Sequence, residues 1–393
     1  MIRKISADFI FTGKGAPLTD AVILLDRKGK ILAIEDRSQH DPTSIEIYRG
    51  SLMPGMINAH CHLELSHMKG VAPTGTGLLP FLKTVVNFRD VSEEQILQAI
   101  EEGDEEMYQA GIVAVGDISN KTDTAAQKDR SKIRYYTFVE MFDFLQDQLA
   151  QTTFERYKTV FDGQSSQGGN RKSAVPHAPY TVSPTLYRLI RDCNEGESIT
   201  ISLHNQETQH EDDLFRSKTG GFVDFMASFG FSLDHFEATG SSSLAFALPH
   251  LNPANRNLFV HNTLTSPEDI AMAQAWSSSV YWATCPNANL YIENQMPNYQ
   301  YFLDAGAKVC IGTDSLTSNW QLSILEEMKT IARFQSYIPL ETLVAWATIN
   351  GAEALGFEEE LGSLEPGKTP GLLLLNVRED LKLRQDTTVK RLI

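Results

Sequence analysis

Through its middle section the chain alternates short apolar runs with longer stretches in which apolar positions recur at helical spacing. Near-continuous apolar runs are typical of strands that are buried on both faces. Stretches between several of them, such as residues 92–97, favour amphipathic helices, and Ser92 fits the N-cap position. This alternation predicts a parallel sheet covered by helices, and eight strands favour a (β/α)8 barrel. The eight predicted strands are the run that ends at His60 and residues 113–117, 136–140, 174–177, 199–204, 258–261, 280–284 and 308–314.

Both ends of the chain carry β-like patterns instead. Residues 22–26 and 31–34 are apolar runs on either side of a turn at Gly29, which predicts a hairpin. Near the other end, a turn at residues 367–371 leads into the apolar run 372–375. We therefore expect the two ends to form one small β domain, and the alternating middle section to form a second, larger one.

Composition narrows the class of protein. With 393 residues the chain has room for a barrel-sized domain and a modest second unit. A formal net charge of -16 argues against nucleic acid or an anionic membrane as a partner, because both attract basic patches. No apolar run approaches the roughly 18 residues of a membrane span, no signal peptide is evident, and the four cysteines lack C-x-x-C spacing. We expect a cytoplasmic protein.

The first of the eight runs ends in His60-Cys61-His62. Alternate side chains of a strand point to the same face, so His60 and His62 form a pair of imidazoles while Cys61 points the other way. Two neutral imidazoles suit a borderline-soft divalent metal such as zinc. A single His-x-His is more often exposed or structural, so the pair predicts a metal only if other ligands lie near it.

Four more polar residues close predicted strands, at the ends where the active site of a parallel barrel lies. His177, His204 and His261 close the fourth, fifth and sixth runs, and Asp314 closes the eighth. Each histidine alone is better explained as a structural residue. Packing does not explain why all of them, with an aspartate and the first pair, fall on one rim, so we predict a functional site there.

A catalytic zinc binds a small set of protein ligands and keeps one position for water. His60, His62, His204 and Asp314 would supply three nitrogens and one oxygen to such an ion. The ion would lower the pKa of its water toward about 7, which gives a nucleophile near neutral pH.

This nucleophile requires groups that move protons. Glu207 follows His204 by three residues and could transfer protons from the same loop. Alternatively, Glu207 stands at the start of a helix and only interacts with the dipole of that helix. His261 and Asp314 would orient the water and take its proton.

Together these segments resemble the amidohydrolase superfamily, in its deaminase and chlorohydrolase branch. The resemblance implies a distorted (β/α)8 TIM barrel over residues 53–359 and a small β-sandwich domain built from both termini, residues 1–52 plus 360–393. The matching segments are residues 54–62 (PGMINAHCH) and 177–181 (HAPYT), the pair His204 and Glu207-Thr208, and residues 260–262 (VHN) and 312–315 (GTDS).

The resemblance also implies the chemistry of the site. One divalent metal ion would be held by the four ligands named above, with zinc as the first choice and Fe2+ or Mn2+ as alternatives. Glu207 and His261 would be acid/base partners, and Asp314 would share in catalysis. Members of the superfamily with two metals usually carry a lysine after the fourth strand, whereas this chain has His177 there, which favours a single ion.

The substrate is inferred from loops around this rim. In similar deaminases the histidine of the HAPY segment contacts the substrate, so we expect the same of His177. Glu64, Ser66 and residues 78–82 follow the first strand, where such enzymes place specificity loops, although packing of a lid would explain them equally well. These loops look most like those of aminofutalosine deaminases of menaquinone biosynthesis, which convert a 6-aminopurine nucleoside to its 6-oxo form.

One segment departs from related enzymes, which often have CPRSN after the seventh strand where this chain has CPNAN at residues 285–289. Deamination of guanine, adenosine, methylthioadenosine or a pterin, and chloride release from a triazine, stay open as alternatives. A non-enzymatic assembly protein is disfavoured, because such relatives have lost metal ligands and this chain keeps them. The sequence leaves the oligomeric state open, with a homodimer as one option.

Overall fold

The computed structural model describes residues 2–194, 199–377 and 379–393. Its strands are β1 (Arg3–Ile10), β2 (Ala21–Leu25), β3 (Ile31–Asp36), β4 (Glu46–Met53), β5 (Met56–Cys61), β6 (Ile112–Ser119), β7 (Arg134–Met141), β8 (Arg171–Pro176), β9 (Thr200–Asn205), β10 (Arg256–His261), β11 (Val280–Thr284), β12 (Lys308–Ile311), β13 (Leu373–Leu375) and β14 (Val389–Arg391).

The α-helices are α1 (Leu78–Phe88), α2 (Glu93–Gln109), α3 (Ala125–Arg130), α4 (Ala150–Gly163), α5 (Pro184–Cys193), α6 (Gln209–Ser217), α7 (Phe222–Ser228), α8 (Ser243–Ala247), α9 (Pro267–Trp276), α10 (Pro286–Glu293), α11 (Tyr299–Asp304), α12 (Ile324–Phe334), α13 (Leu340–Ala347) and α14 (Ile349–Leu355). Short 3-10 helices are Arg37–Gln39, Pro42–Ser44, Leu63–Met68, Asp147–Leu149, Gln167–Gly169, Pro179–Thr181 and Leu248–His250. Among the described residues, no helix is both long and apolar enough to span a membrane.

The eight predicted strands are β5 to β12, and they form a distorted barrel. Strands β5 to β8 pair in parallel as one arc, and β9 to β12 pair in parallel as a second. The arcs are joined by backbone hydrogen bonds at two seams. The His204 N–H donates to the His177 carbonyl at 2.9 Å, and the N–H groups of Thr313 and Asp314 donate to the His60 carbonyl at 3.0 Å. The predicted α/β barrel is thus confirmed.

Both ends of the chain contribute to one further sheet, whose strand order is β14-β13-β4-β1-β2-β3. The predicted hairpin is the antiparallel pair β2–β3, with Gly29 at φ 81° in its turn. Gly55 connects this sheet to the first barrel strand. The backbone at Gly55 passes so close to that at Pro370 that a Cβ on residue 55 would lie 2.6 Å from the Pro370 carbonyl oxygen. The described strands outside the barrel form a single six-stranded sheet. The sandwich arrangement and the domain boundaries near residues 52 and 360 stay predictions.

An apolar cluster separate from the main core covers the carboxyl ends of the barrel strands. Helix α1 contributes Leu78 and Phe81, α7 contributes Phe222 and Phe225, and Tyr180 comes from the loop after β8. The Tyr180 ring stacks on Phe222 with centroids 4.2 Å apart. Polar side chains at the strand ends are therefore enclosed between the barrel below and an aromatic cover above.

The predicted N-cap Ser92 begins α2 with a capping box to Gln95.

Candidate active site

The six residues expected to hold a metal or move protons meet at the carboxyl ends of the barrel strands. All six are buried or nearly so, because the aromatic cover lies above them. Their positions are His60 in β5, His62 just after it, His204 in β9, Glu207 two residues past β9, His261 at the end of β10, and Asp314 three residues past β12. The parallel barrel therefore brings together side chains that are far apart in sequence.

Three of these side chains direct ligand atoms at one point. The Nε2 atoms of His60 and His62 are 3.1 Å apart, and Oδ1 of Asp314 lies 3.6 Å and 3.3 Å from them. Ligands about 2.1 Å from a tetrahedral ion lie about 3.4 Å from one another. The three distances match that spacing, so these residues fit a small divalent cation. Ser318 fixes the aspartate, since its hydroxyl donates to Oδ2 at 2.5 Å.

His204 is oriented toward the same point by what its other nitrogen contacts. Its Nδ1 lies 3.0 Å from the His177 carbonyl oxygen and 3.2 Å from Oε1 of Glu140, and both oxygens are hydrogen-bond acceptors. Nδ1 therefore carries a hydrogen, and Nε2 is the nitrogen that would bind a metal in place of a proton. Among the groups described, ligand atoms of His60, His204 and His261 lie within 4.8 Å of one another.

The charges of the cluster also fit a cation. Burial alone would raise the pKa of Glu140, but His177 and His204 hold it well below its usual range. Burial likewise opposes ionisation of Asp314, yet the surrounding histidines keep its pKa low. Burial lowers the pKa of His204, and the nearby carboxylates, led by Glu140, outweigh this and raise it to about 9. These buried anions thus attract a positive charge to the centre of the site.

Glu207 and His261 form a pair with opposite roles. Oε1 of Glu207 lies 3.7 Å from Nε2 of His261. Burial raises the pKa of Glu207 to about 8, which favours the protonated carboxyl group. Burial lowers the pKa of His261 to about 4, and its Nδ1 donates to Oδ1 of Asn289 at 2.9 Å. A neutral imidazole with a free Nε2 lone pair therefore lies beside a carboxylic acid.

The loops that carry these residues have a constrained backbone. Gln206, His261 and Asp314 have positive φ angles of 47°, 72° and 58°. Side chains other than glycine adopt this region at a cost, and such residues cluster at functional sites. Glu211 holds the first of these loops, because its carboxylate accepts the N–H groups of Gln206 and Glu207, both at 3.1 Å.

A cavity opens above the cluster, with an empty volume of about 940 Å³. Five of the six predicted metal and proton-transfer residues line it; His60 lies beneath. His177 also lines it. Its Nδ1 lies 2.7 Å from the Thr181 hydroxyl, which itself donates to a carbonyl, so His177 donates from Nδ1 and presents an unprotonated Nε2. The apolar walls are formed by Leu65, Leu78, Phe81, Leu82, Val85, Val86, Phe142, Phe144, Tyr180, Phe225 and Ile292.

The structure separates the other predicted substrate contacts. Leu78, Phe81 and Leu82 of the predicted loop line the cavity. Glu64 and Ser66 are not among its lining residues. Glu64 lies behind Arg89, which it contacts at 3.2 Å, and the Ser66 hydroxyl donates to the Leu63 carbonyl. Their contact with substrate stays a prediction.

The sequence analysis missed residues that hold the candidate ligands and proton-transfer groups in place, above all Glu140, Asn289 and Ser318. Glu140 ends the third predicted strand, so the rule that found the histidines at strand ends could have found it. Asn289 is the last residue of the CPNAN segment, which drew attention only for its missing arginine. Ser318 follows Asp314 by four residues in a loop without a recognisable signal.

Comparison with known proteins supports the family that the sequence motifs indicate. A model of the amidohydrolase family matches residues 51–391. The chain is 26% identical over 381 residues to the aminodeoxyfutalosine deaminase of Deinococcus radiodurans, covering 90% of this chain and 86% of that protein.

Two solved structures share the fold. The aminofutalosine deaminase of Helicobacter pylori in complex with methylthio-coformycin superposes with a TM-score of 0.80 at 23% identity, over 97% of this chain and 93% of that one. An adenosine deaminase from Xanthomonas campestris with bound zinc gives a TM-score of 0.73 at 22% identity, over 96% of this chain and 85% of that one. At these sequence identities the likeness shows a shared barrel-type fold alone.

Proposed function

This chain belongs to the amidohydrolase family, and from that premise we propose that it is a metal-dependent deaminase that hydrolyses the amino group of a 6-aminopurine nucleoside. The observation that carries the proposal is geometric: the Glu207 carboxyl group lies 3.7 Å from Nε2 of His261, beside the convergent ligand atoms, and burial raises the pKa of the first and lowers that of the second. Hydrolytic deamination needs an acid for the ring nitrogen and a base for the attacking water, and the pair supplies both.

The ligands in this proposal are His60, His62, His204 and Asp314. A divalent ion bound there, with zinc as the first choice, would polarise water and lower its pKa toward about 7. The zinc-bound adenosine deaminase that shares this fold supports that choice of metal. Iron(II) and manganese(II) accept the same nitrogen and oxygen donors and stay alternatives.

The residues of the chain then divide the proton transfers. Glu207 donates its proton to the ring nitrogen next to the carbon that bears the amino group, which makes that carbon more electrophilic. His261 and Asp314 orient the water, and the His261 Nε2 lone pair takes its proton as the carbon–oxygen bond forms. Glu207, now ionised, takes the proton of the new hydroxyl group and passes it to the amino nitrogen, so that the carbon–nitrogen bond breaks and ammonia leaves as the 6-oxo group forms. The proton held by His261 then returns to Glu207, 3.7 Å away, and restores both groups.

His177 fits a positioning role in the same reaction. Its unprotonated Nε2 faces the cavity, and burial lowers its pKa to about 4, so it accepts a hydrogen bond rather than donating one. A donor on the substrate, such as a hydroxyl or an N–H group, would match it.

The substrate we favour is aminodeoxyfutalosine, which would place the enzyme in menaquinone biosynthesis. This rests on the resemblance of the loops after the first strand and on the Deinococcus relative, which is similar along 90% of this chain. Adenosine, methylthioadenosine, guanine, pterins and chlorinated triazines are the competing substrates.

The test is ammonia release, and chloride release for the triazine, measured across these compounds with the metal-loaded protein. We expect turnover of 6-aminopurine nucleosides, highest with aminodeoxyfutalosine. Glu207→Gln should retain bound metal and lose about 10²- to 10⁴-fold in kcat, the range for removal of a general acid or base. Glu237→Gln, at an exposed position, is the matched control. Full activity of Glu207→Gln, or release of chloride alone, would refute the proposal.

A further inference from the structure

Glu327 is a buried carboxylate at the junction of two chain segments that carry residues of the proposed active site. It lies in the first turn of helix α12 and is fully buried. Its Oε2 accepts the backbone N–H of Asn287 at 2.9 Å, and its Oε1 accepts the side-chain amides of Asn287 and Asn319 at 2.9 Å and 2.7 Å. Asn287 follows strand β11 and Asn319 follows strand β12. One side chain therefore joins the segments that leave two neighbouring barrel strands.

The first segment leads to His261. Asn287 stands in the first turn of α10, and two residues further on the Asn289 side chain accepts the Nδ1–H of His261 at 2.9 Å. The hydroxyl of Thr330, which follows Glu327 by three residues in α12, donates to Oδ1 of Asn287 at 2.6 Å. Helix α12 thus holds the start of α10 through two side chains. The position of that start determines where the partner of His261 lies.

The second segment leads to Asp314. The side-chain amide of Asn319 also donates to the Thr313 carbonyl oxygen at 2.8 Å, directly before Asp314 in the chain. Its Oδ1 accepts the backbone N–H of Trp320 at 2.7 Å, so both ends of this side chain are engaged. Asn319 therefore connects Glu327 to the backbone beside a candidate metal ligand.

The partners that the structure describes for the Glu327 carboxylate are all neutral N–H groups. Burial of an ionisable group in such surroundings costs free energy, and an apolar side chain of similar size would avoid that cost. A carboxylate, however, accepts several N–H donors at once and so fixes their relative positions. Glu327 therefore holds the two segments in one arrangement, which packing of an apolar side chain would not do.

We propose that Glu327 is a positioning residue for two groups of the active site, His261 through Asn287 and Asp314 through Asn319. The His261 branch rests on the proposed deaminase function, whereas the Asp314 branch rests on the proposed ligand set alone. Loss of the carboxylate would leave three buried N–H donors without this acceptor, so both segments would shift to satisfy them.

The first test compares Glu327→Met and Glu327→Gln with the wild type, using the 6-aminopurine nucleoside that the wild type turns over fastest. Glu327→Met removes both acceptor oxygens. In the zinc-loaded protein kcat should fall, and in chelator competition the dissociation constant for zinc should rise, each about 10- to 100-fold. KM should change little, because Glu327 is not among the described residues that line the cavity. Glu327→Gln keeps one acceptor oxygen and should recover part of both losses.

Two control variants separate positioning from stability. Glu326→Gln changes the adjacent residue, whose half-exposed carboxylate pairs with Lys329, and should behave as wild type. Asp104→Asn changes another buried carboxylate, which accepts the hydroxyl of Tyr135 at the start of β7, at the opposite end of the barrel. It should lower the melting temperature and leave kcat and zinc affinity unchanged. Glu327 variants that melt earlier but keep wild-type kcat and zinc affinity would overturn the inference.

Two further variants test the branches one at a time, and they decide together with Glu327→Gln if Glu327→Met does not fold. Asn287→Ala should lower kcat and leave zinc affinity unchanged, because it disturbs the partner of His261 and no ligand. Asn319→Ala should weaken zinc binding, because it releases the backbone beside Asp314. Equal zinc affinities in these two variants would overturn the assignment of the branches.

The zinc measurements also separate this inference from the proposed function. If the wild-type protein releases ammonia from none of the nucleosides, the deaminase proposal fails. Zinc affinity then decides the role of Glu327. Weaker zinc binding in Glu327→Gln and Asn319→Ala than in Glu326→Gln supports it, and equal binding in all three overturns it.

Discussion

Oε1 of Glu140 lies 3.2 Å from Nδ1 of His204, although the two residues come from different strands, β7 and β9. A carboxylate in this position fixes the tautomer of the imidazole and makes its other nitrogen a stronger ligand. Asn120 completes the arrangement, because its side-chain amide donates to Oε2 of Glu140 at 3.3 Å. The proposed metal site would therefore depend on a residue outside the proposed ligand set.

The first prediction follows from this contact. Glu140→Gln keeps the size of the side chain but removes its charge, so His204 becomes a weaker ligand. We expect the dissociation constant for zinc to rise about 10- to 100-fold, the range for loss of such a partner. Competition with a chromogenic chelator measures it, and Glu155→Gln on the exposed face of α4 is the control. Unchanged zinc affinity in Glu140→Gln would show that the contact is not part of the metal site.

A second prediction concerns a buried ion pair next to the site. Nζ of Lys128 lies 2.6 Å from Asp117, both side chains are almost fully buried, and Oδ1 of Asp117 also accepts the N–H of Leu63 in the loop after β5. Lys128→Met leaves an unpaired buried carboxylate and should destabilise the fold by about 3–5 kcal/mol. Urea unfolding measures the change. Lys121→Met breaks the exposed pair with Asp90 and should cost less than about 1 kcal/mol.

Adding Asp117→Asn to Lys128→Met separates charge from packing. The double variant no longer buries a lone charge, so we expect it to recover part of the lost stability. If the double variant is less stable than Lys128→Met alone, the loss comes from packing and hydrogen bonds instead.

The sequence could predict the barrel because each of its strands is buried on both faces and therefore contiguous in apolar residues. It could predict that the candidate ligands cluster, because a parallel barrel brings the residues at the carboxyl ends of its strands to one rim. It could not place Glu64, whose partner Arg89 is 25 residues away and meets it only when α1 folds over the rim. The strand-end rule could have drawn attention to Glu140, which closes the third predicted strand, but a single glutamate has no spacing that would assign it to the support of a histidine.

A third prediction is a pH dependence of stability that arises away from the proposed metal site. Burial raises the pKa of Asp143 from about 3.8 to about 6, against hydrogen bonds from Ser183 that lower it. The folded protein thus binds this proton more tightly than the unfolded chain does. The stabilisation is complete below about pH 4 and is lost as the pH rises through about 6, in total about 3 kcal/mol. Asp143→Asn should flatten the urea midpoint over this interval, and an unchanged slope would contradict the assignment.

The last prediction concerns Gly312, where the loop after β12 crosses β5. A Cβ at this position would lie 2.8 Å from both the Cβ and the carbonyl oxygen of His60, and backbone atoms cannot give way as a flexible side chain does. Gly312→Ala should push this loop outward and stretch the bond from the Asp314 N–H to the His60 carbonyl, so that the aspartate no longer faces the histidine pair. We expect about 1–3 kcal/mol lower stability and zinc affinity at least about 10-fold weaker. Gly351→Ala, which crowds Ile57 to 2.9 Å, is the matched control and should lower the melting temperature without changing zinc affinity. Equal zinc affinities in the two variants would refute a specific role for this crossing in building the site.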